Sequence, residues 1–182
     1  MKCQAQTPAC APLSFVEVSK EMGQVLRVFA MGIAATVAID LWATFANRVL
    51  GWPRTNWALV GRWIGHMRDG RFAHSSIGSS PPIVHEPILG WVFHYVVGCV
   101  YAALYLMFVG TAQLGQPTLV SAVLFGLVTI LSPWLLMQPA LGLGICASKA
   151  PRANLVRLQN LIIHITFGLA LYYSYRVTNA LA

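Results

Sequence analysis

Apolar residues fill four stretches of the chain that few charges interrupt: residues 25–46, 89–110, 118–138 and 158–178. Each stretch is close to the roughly 20 residues that a transmembrane helix needs. Little sequence is left between them for a separate soluble domain. The pattern predicts an all-α integral membrane protein with four spans in one membrane domain, residues 25–182, after a mobile polar tail, residues 1–24.

The connection between the first two spans carries a helical pattern of its own. In the run TNWALVGRWIGHMRDG, apolar side chains recur on one face, while Arg62 and His66 fall on the other. Thr55 is the predicted N-cap and Gly70 the predicted stop. Three tryptophans in this region suit the depth of lipid headgroups. We expect a short interfacial helix that lies across one mouth of the bundle.

The third span is irregular in sequence, because Pro133, Pro139, Gly142 and Gly144 interrupt its apolar run. Broken backbone at membrane depth is tolerated where protein or a cavity satisfies the freed groups. The segment predicts a kinked helix end or a re-entrant turn that lines an internal pocket.

Two pairs of spans resemble each other. His94 and His164 are each followed four residues later by glycine and then by small residues and tyrosines. More faintly, VAIDLW in span one resembles TILSPW in span three. These similarities suggest duplicated helical hairpins related by an axis along the membrane normal.

Charge changes the picture by giving the bundle an orientation. Hydrophobic residues make up 57% of the chain and charged residues 9%, with a net charge of +7. The connections after spans one and three hold most of the basic residues: Arg48, Arg54, Arg62, Arg68, Arg71, Lys149, Arg152 and Arg157. The positive-inside rule places both connections in the cytoplasm and both termini in the periplasm. The charge then explains attraction to anionic lipid headgroups, and nucleic-acid binding need not be invoked.

Ionisable residues inside the spans point to a site. A charge at the centre of a bilayer costs about 3 kcal/mol on insertion scales, so Asp40, His94 and His164 are expected to face a protein interior. With Gln138 they converge on the cytoplasmic half of the bundle and predict a polar cavity. Asp40, His94 and His164 also form a possible ligand set for a metal ion, and the two histidines a possible pair for one b-type haem.

Residues in the cytoplasmic connections complete the candidate site. The full set of candidate ligand-binding residues is Asp40, Asn56, Arg62, His66, Arg71, His74, His94, Gln138, Arg152 and His164. Arginine forks suit phosphate and carboxylate groups, which makes an anion or headgroup site one alternative.

Several functions remain open at this point. The leading hypothesis is binding, with or without transport, of a small ligand or metal ion at the cavity. A membrane-embedded enzyme could use Asp40 and a histidine as general acid and base, although no nucleophile, P-loop or dinucleotide motif is present. The chain could also be an accessory subunit of a larger membrane complex or a homo-oligomer, or Asp40 could pair with a histidine only to hold helices together.

Long runs of the sequence resemble a known family. The runs NWALVGRWIGHMRDGRFAHSSI, FHYVVG, LMQPALGLGICASKAP and HITFGLALY are similar to the bacterial inner-membrane family catalogued as domain of unknown function 2938. The resemblance covers roughly residues 28–175. It implies a multi-pass protein of the bacterial inner membrane, and it implies no activity, substrate or cofactor.

The arginine distribution makes a testable prediction about topology. A reporter that is active only in the periplasm is expected to give a signal when it is fused to Ala182. The same reporter inserted near Gly78 is expected to stay silent. A signal from the Gly78 insertion alone would invert the orientation and place the polar cavity on the periplasmic side.

Overall fold

The computed structural model describes residues 15–111 and 116–181, and within these ranges the chain is helical without strands. Its α-helices are α1 (Phe15–Leu50), α2 (Trp57–Met67), α3 (Glu86–Thr111), α4 (Leu119–Thr129), the one-turn α5 (Gln138–Ala140) and α6 (Ala153–Ala180). A π-helical turn occupies Pro133–Met137, and short 3₁₀ turns occupy Ile77–Ser79 and Ile145–Ala147.

Four segments are long and apolar enough to cross a membrane: Glu21–Leu50, Glu86–Val109, Leu119–Ala140 and Ala153–Ala180. This confirms the expected four apolar helices. Their outer faces carry exposed apolar side chains, such as Leu41 and Val128 at 67% and 61% exposure. Helix α1 begins at Phe15, so residues 15–24 of the predicted tail are helical, and the rest of that tail lies outside the described residues.

The helices do not pack evenly around the bundle. Helix α1 packs along α3 and α6, and α6 packs along α4, but α3 and α4 touch at few points. The described contacts between α3 and α4 centre on Tyr105, whose hydroxyl lies 3.1 Å from Ser121 Oγ and whose ring lies 5.2 Å from that of Phe125. The seam between α3 and α4 is therefore closed at this end only, which leaves room between them towards the α2 end.

Glycines bring the helices of each hairpin together. A Cβ added at Gly98 of α3 would overlap the hydroxyl of Thr36 in α1, and one added at Gly168 of α6 would overlap the carbonyl of Ala122 in α4. Gly126 likewise lies against the backbone of α6. Small residues at such crossings allow close helix approach in lipid. The glycine that follows each span histidine by four residues thus makes the same kind of contact in both hairpins.

The register of the two hairpins differs from the alignment of VAIDLW with TILSPW. In the first hairpin, Gly98 of α3 contacts Thr36 of α1. His94 and Asp40, each four residues from that contact on its own helix, pair with each other. In the second hairpin, Gly168 of α6 contacts Ala122 of α4. The residues four positions from that contact are His164 and Gly126, and the backbone of His164 lies against Gly126. Gly126 therefore stands where Asp40 stands in the first hairpin, whereas the alignment assigns that place to Ser132.

The N-cap of α2 lies one residue after the predicted one. Asn56, and not Thr55, is the N-cap, because the Asn56 Oδ1 atom accepts a 3.1 Å hydrogen bond from the backbone N–H of Ala58. The helix ends at Met67, and Gly70 at φ +74° follows in the left-handed conformation that the predicted stop requires.

Helix α2 fills the space where α3 and the end of α4 separate. Its Val60 and Trp63 pack with Ile77 and Leu141 in one buried cluster. At the crossing with α3, a Cβ on Gly90 would overlap the carbonyl oxygen of Trp57. The opposite face of α2, which the sequence pattern marks as polar, is covered too, because the link from residue 74 to residue 86 packs over it.

The third span is broken, as its prolines and glycines predict. Pro133 opens the π-helical turn, in which the N–H of Gln138 donates to the Pro133 carbonyl five residues back. The chain then crosses to the link after α2, where the N–H of His74 donates to the Ala140 carbonyl at 2.9 Å and that of Ile77 to the Leu141 carbonyl at 3.1 Å. These bonds fix the position of Gln138 at the end of the span.

The α2–α3 crossing predicts that Gly90→Ala lowers the unfolding temperature in detergent. The added methyl group has no room against the Trp57 carbonyl, and overpacking costs about 1–3 kcal/mol. Gly23→Ala is the matched control, because a Cβ there meets nothing within 4 Å. In α1 that change should be neutral or stabilising by up to about 1 kcal/mol. Equal effects of the two substitutions would contradict the close crossing.

Candidate functional site

A cavity of about 580 Å³ lies inside the bundle and reaches the surface at the α2 end. Its mouth is formed by exposed residues of two loops, including Arg54 and Arg152, and its inner end by Thr36, Gly98 and Phe167. Arg152, the N-cap of α6, and Phe167 are 15 positions apart, which corresponds to roughly 22 Å at the helical rise. The volume lies in the range of small-molecule pockets, and the walls are mostly apolar.

Asp40 and His94 join α1 to α3 in one wall of the cavity. His94 Nε2 lies 3.1 Å from Asp40 Oδ1, and the hydroxyl of Tyr95 donates to Asp40 Oδ2 at 3.1 Å. The indole of Trp57 stacks on the imidazole of His94 at 3.9 Å between ring centroids. Both oxygens of Asp40 are therefore engaged within the protein, in the arrangement expected of a polar pair that holds two helices together.

His164 joins α6 to α4 in the opposite wall. Its Nδ1 lies 2.8 Å from the hydroxyl of Thr129, and that hydroxyl lies 2.6 Å from the carbonyl of Gly126. A carbonyl only accepts, so the single hydroxyl proton goes to Gly126, and His164 Nδ1 must donate to Thr129. In the neutral imidazole, Nε2 then carries a free lone pair, and His164 is a lining residue of the cavity.

Three carboxamides line the cavity without satisfied hydrogen bonds. Gln138 and Gln159 are only 4% and 3% exposed. Among the described residues, Gln138 Oε1, both Oε1 and Nε2 of Gln159, and Nδ2 of Asn160 are buried without a protein partner. Native structures satisfy almost all buried polar atoms, and an unsatisfied one costs about 1–3 kcal/mol. The described part of the chain supplies these atoms with no partner, and a ligand or water in the cavity can do so.

The charged groups around the cavity are mainly basic. The guanidinium of Arg54 lies 5.8 Å from the ring centroid of Trp91, and Arg152 donates to the Gly51 carbonyl at 3.4 Å. Asp40 is the carboxylate among the lining residues in the described chain, and His94 and Tyr95 already engage it. The mouth therefore presents two cations that no lining carboxylate neutralises.

The arrangement does not support the predicted metal or haem ligands. Within residues 15–111 and 116–181, no three His, Cys, Asp or Glu side chains come close enough to hold a metal ion. Asp40 and His94 are paired, but His164 bonds to Thr129 on the other wall. His94 Nε2, the atom that would ligate haem iron, is committed to Asp40.

Six of the ten candidate ligand-binding residues line this cavity: Asp40, Asn56, His94, Gln138, Arg152 and His164. The convergence of the polar residues of the four spans on one cavity is therefore present in the structure. Asn56 lies at the mouth, where its side-chain oxygen caps α2.

The other four candidates, Arg62, His66, Arg71 and His74, lie outside the lining. Arg62 forms a bidentate pair with Glu86 at 2.7 and 3.0 Å and also donates to the Ser80 carbonyl at 2.9 Å. The hydrogen bond that Arg62 donates to Glu86 raises the pKa of Arg62 above its ordinary value, so this guanidinium stays charged. These hydrogen bonds tie α2 both to the link that follows it and to the start of α3.

The histidines of this region hold the same link. His66 Nδ1 lies 2.9 Å from His74 Nε2, and His66 Nε2 lies 3.0 Å from the carbonyl of Pro81. Because that carbonyl accepts, His66 carries its proton on Nε2. Arg71 is exposed. His66 and His74 therefore help to position α2, and none of the three residues lines the cavity.

Sequence reasoning missed Gln159, Thr129, Trp57 and Arg54 as lining residues. One signal was present: Gln159 and Asn160 are consecutive carboxamides at the start of an apolar span, where polar side chains need a reason. Thr129 and Trp57 have no such signal, because threonine and tryptophan are common in and around membrane spans. Arg54 resembles the other arginines of its loop.

Comparisons with known proteins bear on the family alone. A family model described as a protein of unknown function (DUF2938) matches residues 29–178, which confirms the resemblance seen in the sequence. Neither a curated protein nor a solved structure matches the chain.

The bonds of Asp40 make a prediction about stability. Asp40→Leu should lower the unfolding temperature in detergent, because it leaves His94 Nε2 and the Tyr95 hydroxyl without partners at about 1–3 kcal/mol each. Asp40→Asn should unfold close to wild type, because the amide can still bond to both groups and removes a buried charge. Tyr95→Phe, which deletes one of the two bonds, should fall between them. Equal unfolding temperatures for the Leu and Asn variants would contradict a bonding role.

Proposed function

The chain belongs to the DUF2938 family of proteins of unknown function, and we propose from its cavity that it binds a small organic ligand within the membrane. The ligand reaches the cavity through the mouth between the loops of Arg54 and Arg152. The walls of Trp57 and Phe93 contact its apolar part, and the carboxamides of α5 and α6 bind its polar part.

The single observation that carries this proposal is Gln159. Its side chain is 3% exposed, lines the cavity, and has neither of its polar atoms bonded within the protein. A glutamine that served only to fill space would be replaced by leucine at no hydrogen-bonding cost. A bound molecule explains why an amide is placed here, since it supplies the missing donor and acceptor.

We also propose that the α2 end faces the cytoplasm of a bacterial cell and that the protein lies in the inner membrane. Support comes from the basic residues, which concentrate in the two connections at this end. In this orientation both termini are periplasmic, and anionic headgroups of the inner leaflet surround the mouth.

The far end of the cavity bears on transport. Fully buried Met31, Tyr105 and Leu171 fill the bundle there and join α1, α3 and α6. Passage through the protein needs this core to separate. Binding with access from one end needs no such movement, and it is the function that we propose.

A membrane-embedded enzyme is the second candidate, because the paired Asp40 and His94 lie in the cavity wall. A carboxylate that orients an imidazole is a common device for general acid–base catalysis. No serine, threonine or cysteine among the described residues is bonded to His94 in support of a nucleophile. Under this alternative, Asp40→Asn keeps ligand binding and abolishes turnover. An accessory subunit, the third possibility, leaves the unpartnered carboxamides unexplained.

Filling the cavity tests the proposed function. Native mass spectrometry of the protein released from nanodiscs is expected to show a small molecule bound to wild type. Ile163→Trp should lose that mass, because Ile163 lines the cavity and the larger ring occupies it. Val128→Trp is the control, since Val128 is 61% exposed on the outer face. If both variants keep the bound mass, or wild type carries none, the proposed function fails.

A further inference from the structure

The geometry of the cavity points to the class of ligand. We propose that it is a small organic anion with two recognition points: an acidic group between Arg54 and Arg152, and an uncharged group with adjacent hydrogen-bond donor and acceptor at Gln159. This inference rests on the proposed binding function and adds the chemistry of the molecule that binds.

The charge of the ligand follows from the mouth. Arg54 is exposed there and contacts an aromatic face, and Arg152 contacts a backbone carbonyl at 3.4 Å. Neither guanidinium is paired with a carboxylate among the described residues, unlike Arg62, whose fork is filled by Glu86. The N-terminus of α6, which begins at Ala153 beside Arg152, adds a positive partial charge. A carboxylate or phosphate is the complementary group.

The uncharged group follows from Gln159. One carboxamide presents an acceptor and a donor side by side, and both are buried without partners. The complementary group also has a donor next to an acceptor, as an amide or a lactam does. Gln138 adds a second acceptor and Asn160 a second donor. A positively charged group on the ligand would lack a counter-ion here, because Asp40 is bonded to His94 and Tyr95.

The spacing of the two recognition points sets the size of the ligand. Arg152 and Gln159 are seven residues apart on α6, or about 10 Å along the helix axis. An arginine side chain that bends inwards shortens that distance by several ångströms. A single aromatic ring with an acid at one end and an amide at the other fits this span. Trp57, Phe93 and Ile163 supply apolar walls for the ring.

The test uses probes that differ in one feature each. 4-Acetamidobenzoate carries both recognition groups, its methyl ester lacks the charge, and 4-isopropylbenzoate lacks the amide. Each is titrated by calorimetry into the full-length protein in phosphatidylcholine nanodiscs. The acid is expected to bind at least tenfold more tightly than the ester and than the isopropyl compound.

Matched variants assign the two preferences to residues. Arg54→Gln combined with Arg152→Gln should bring the acid and the ester to equal affinity. Arg48→Gln combined with Arg68→Gln removes the same charge from exposed positions outside the cavity, and it should leave the preference intact. Gln159→Leu should weaken 4-acetamidobenzoate to the level of 4-isopropylbenzoate without weakening the latter.

Three outcomes overturn the inference: the ester binds as tightly as the acid, neither probe binds at millimolar concentration, or both arginine pairs reduce binding alike. The last outcome would mean that a diffuse surface charge, and not the mouth, attracts the acid. In each of these cases a bound mass that Ile163→Trp removes would still support the proposed function. The titrations therefore test the class of ligand, and the mass spectrometry independently tests the binding function.

Discussion

The glycines at the helix crossings decide where this bundle is closed and where it is open. Helices in lipid gain nothing from hiding apolar surface from water, so contact depends on close packing and on polar bonds between helices. Gly98 lets α3 approach Thr36 of α1, and Gly168 lets α6 approach α4. Each hairpin is thus held along its length. Among the described residues, no comparable contact joins α3 to α4 beyond Tyr105, and the cavity occupies the space that results.

The α2 end keeps this space from collapsing. Helix α2 lies in the seam between α3 and the broken end of α4. Where it crosses α3 at Gly90, the two backbones are too close to admit a Cβ atom. Arg62 holds α2 from the other side through Glu86 and the carbonyls of the link. The bidentate bond to Glu86 gives Arg62 a structural role, although its position in a basic loop had suggested a contact with a ligand. A cavity wall that is fixed on both sides presents its lining in one arrangement, which favours selective binding.

Much of the architecture was predictable, because long apolar runs that few charges interrupt are typical of helices long enough to cross a membrane. Apolar runs gave the spans, and Pro133 marked the break before Gln138. A pairing of Asp40 with a histidine was one of the alternatives, since a charge in a span must find a partner inside the protein, and the structure shows that the histidine is His94. The roles of Arg62 and His66 were not predictable. Their partners are Glu86 and the Pro81 carbonyl, and only the folded path of the link brings those groups to α2.

The place of Gln159 in the cavity was not predictable for a related reason. In the sequence Gln159 is one of two consecutive carboxamides at the start of a span, and this signal is weak because polar side chains at either end of a span commonly reach the membrane surface. Its burial depends on how α6 packs along α1 and α4, and neither neighbour adjoins it in sequence. The absence of a partner for its amide is a property of the whole cavity. Periodicity places a residue on a helix face, and the three-dimensional packing alone decides which bonds are left unmade.

The division between bonded and unbonded polar groups has a physical logic. Asp40 is the costliest lining group to leave without a partner, and it is bonded twice within the protein. The unpartnered groups, Gln138, Gln159 and Asn160, are neutral, and an unmade bond to a neutral group costs less than an exposed ion in lipid. The protein's own bonds therefore leave neutral groups, and not the carboxylate of Asp40, without a partner in the cavity. Under the proposed function, a ligand can leave these amides to water and return without a change in the ionic bonds that hold the helices together.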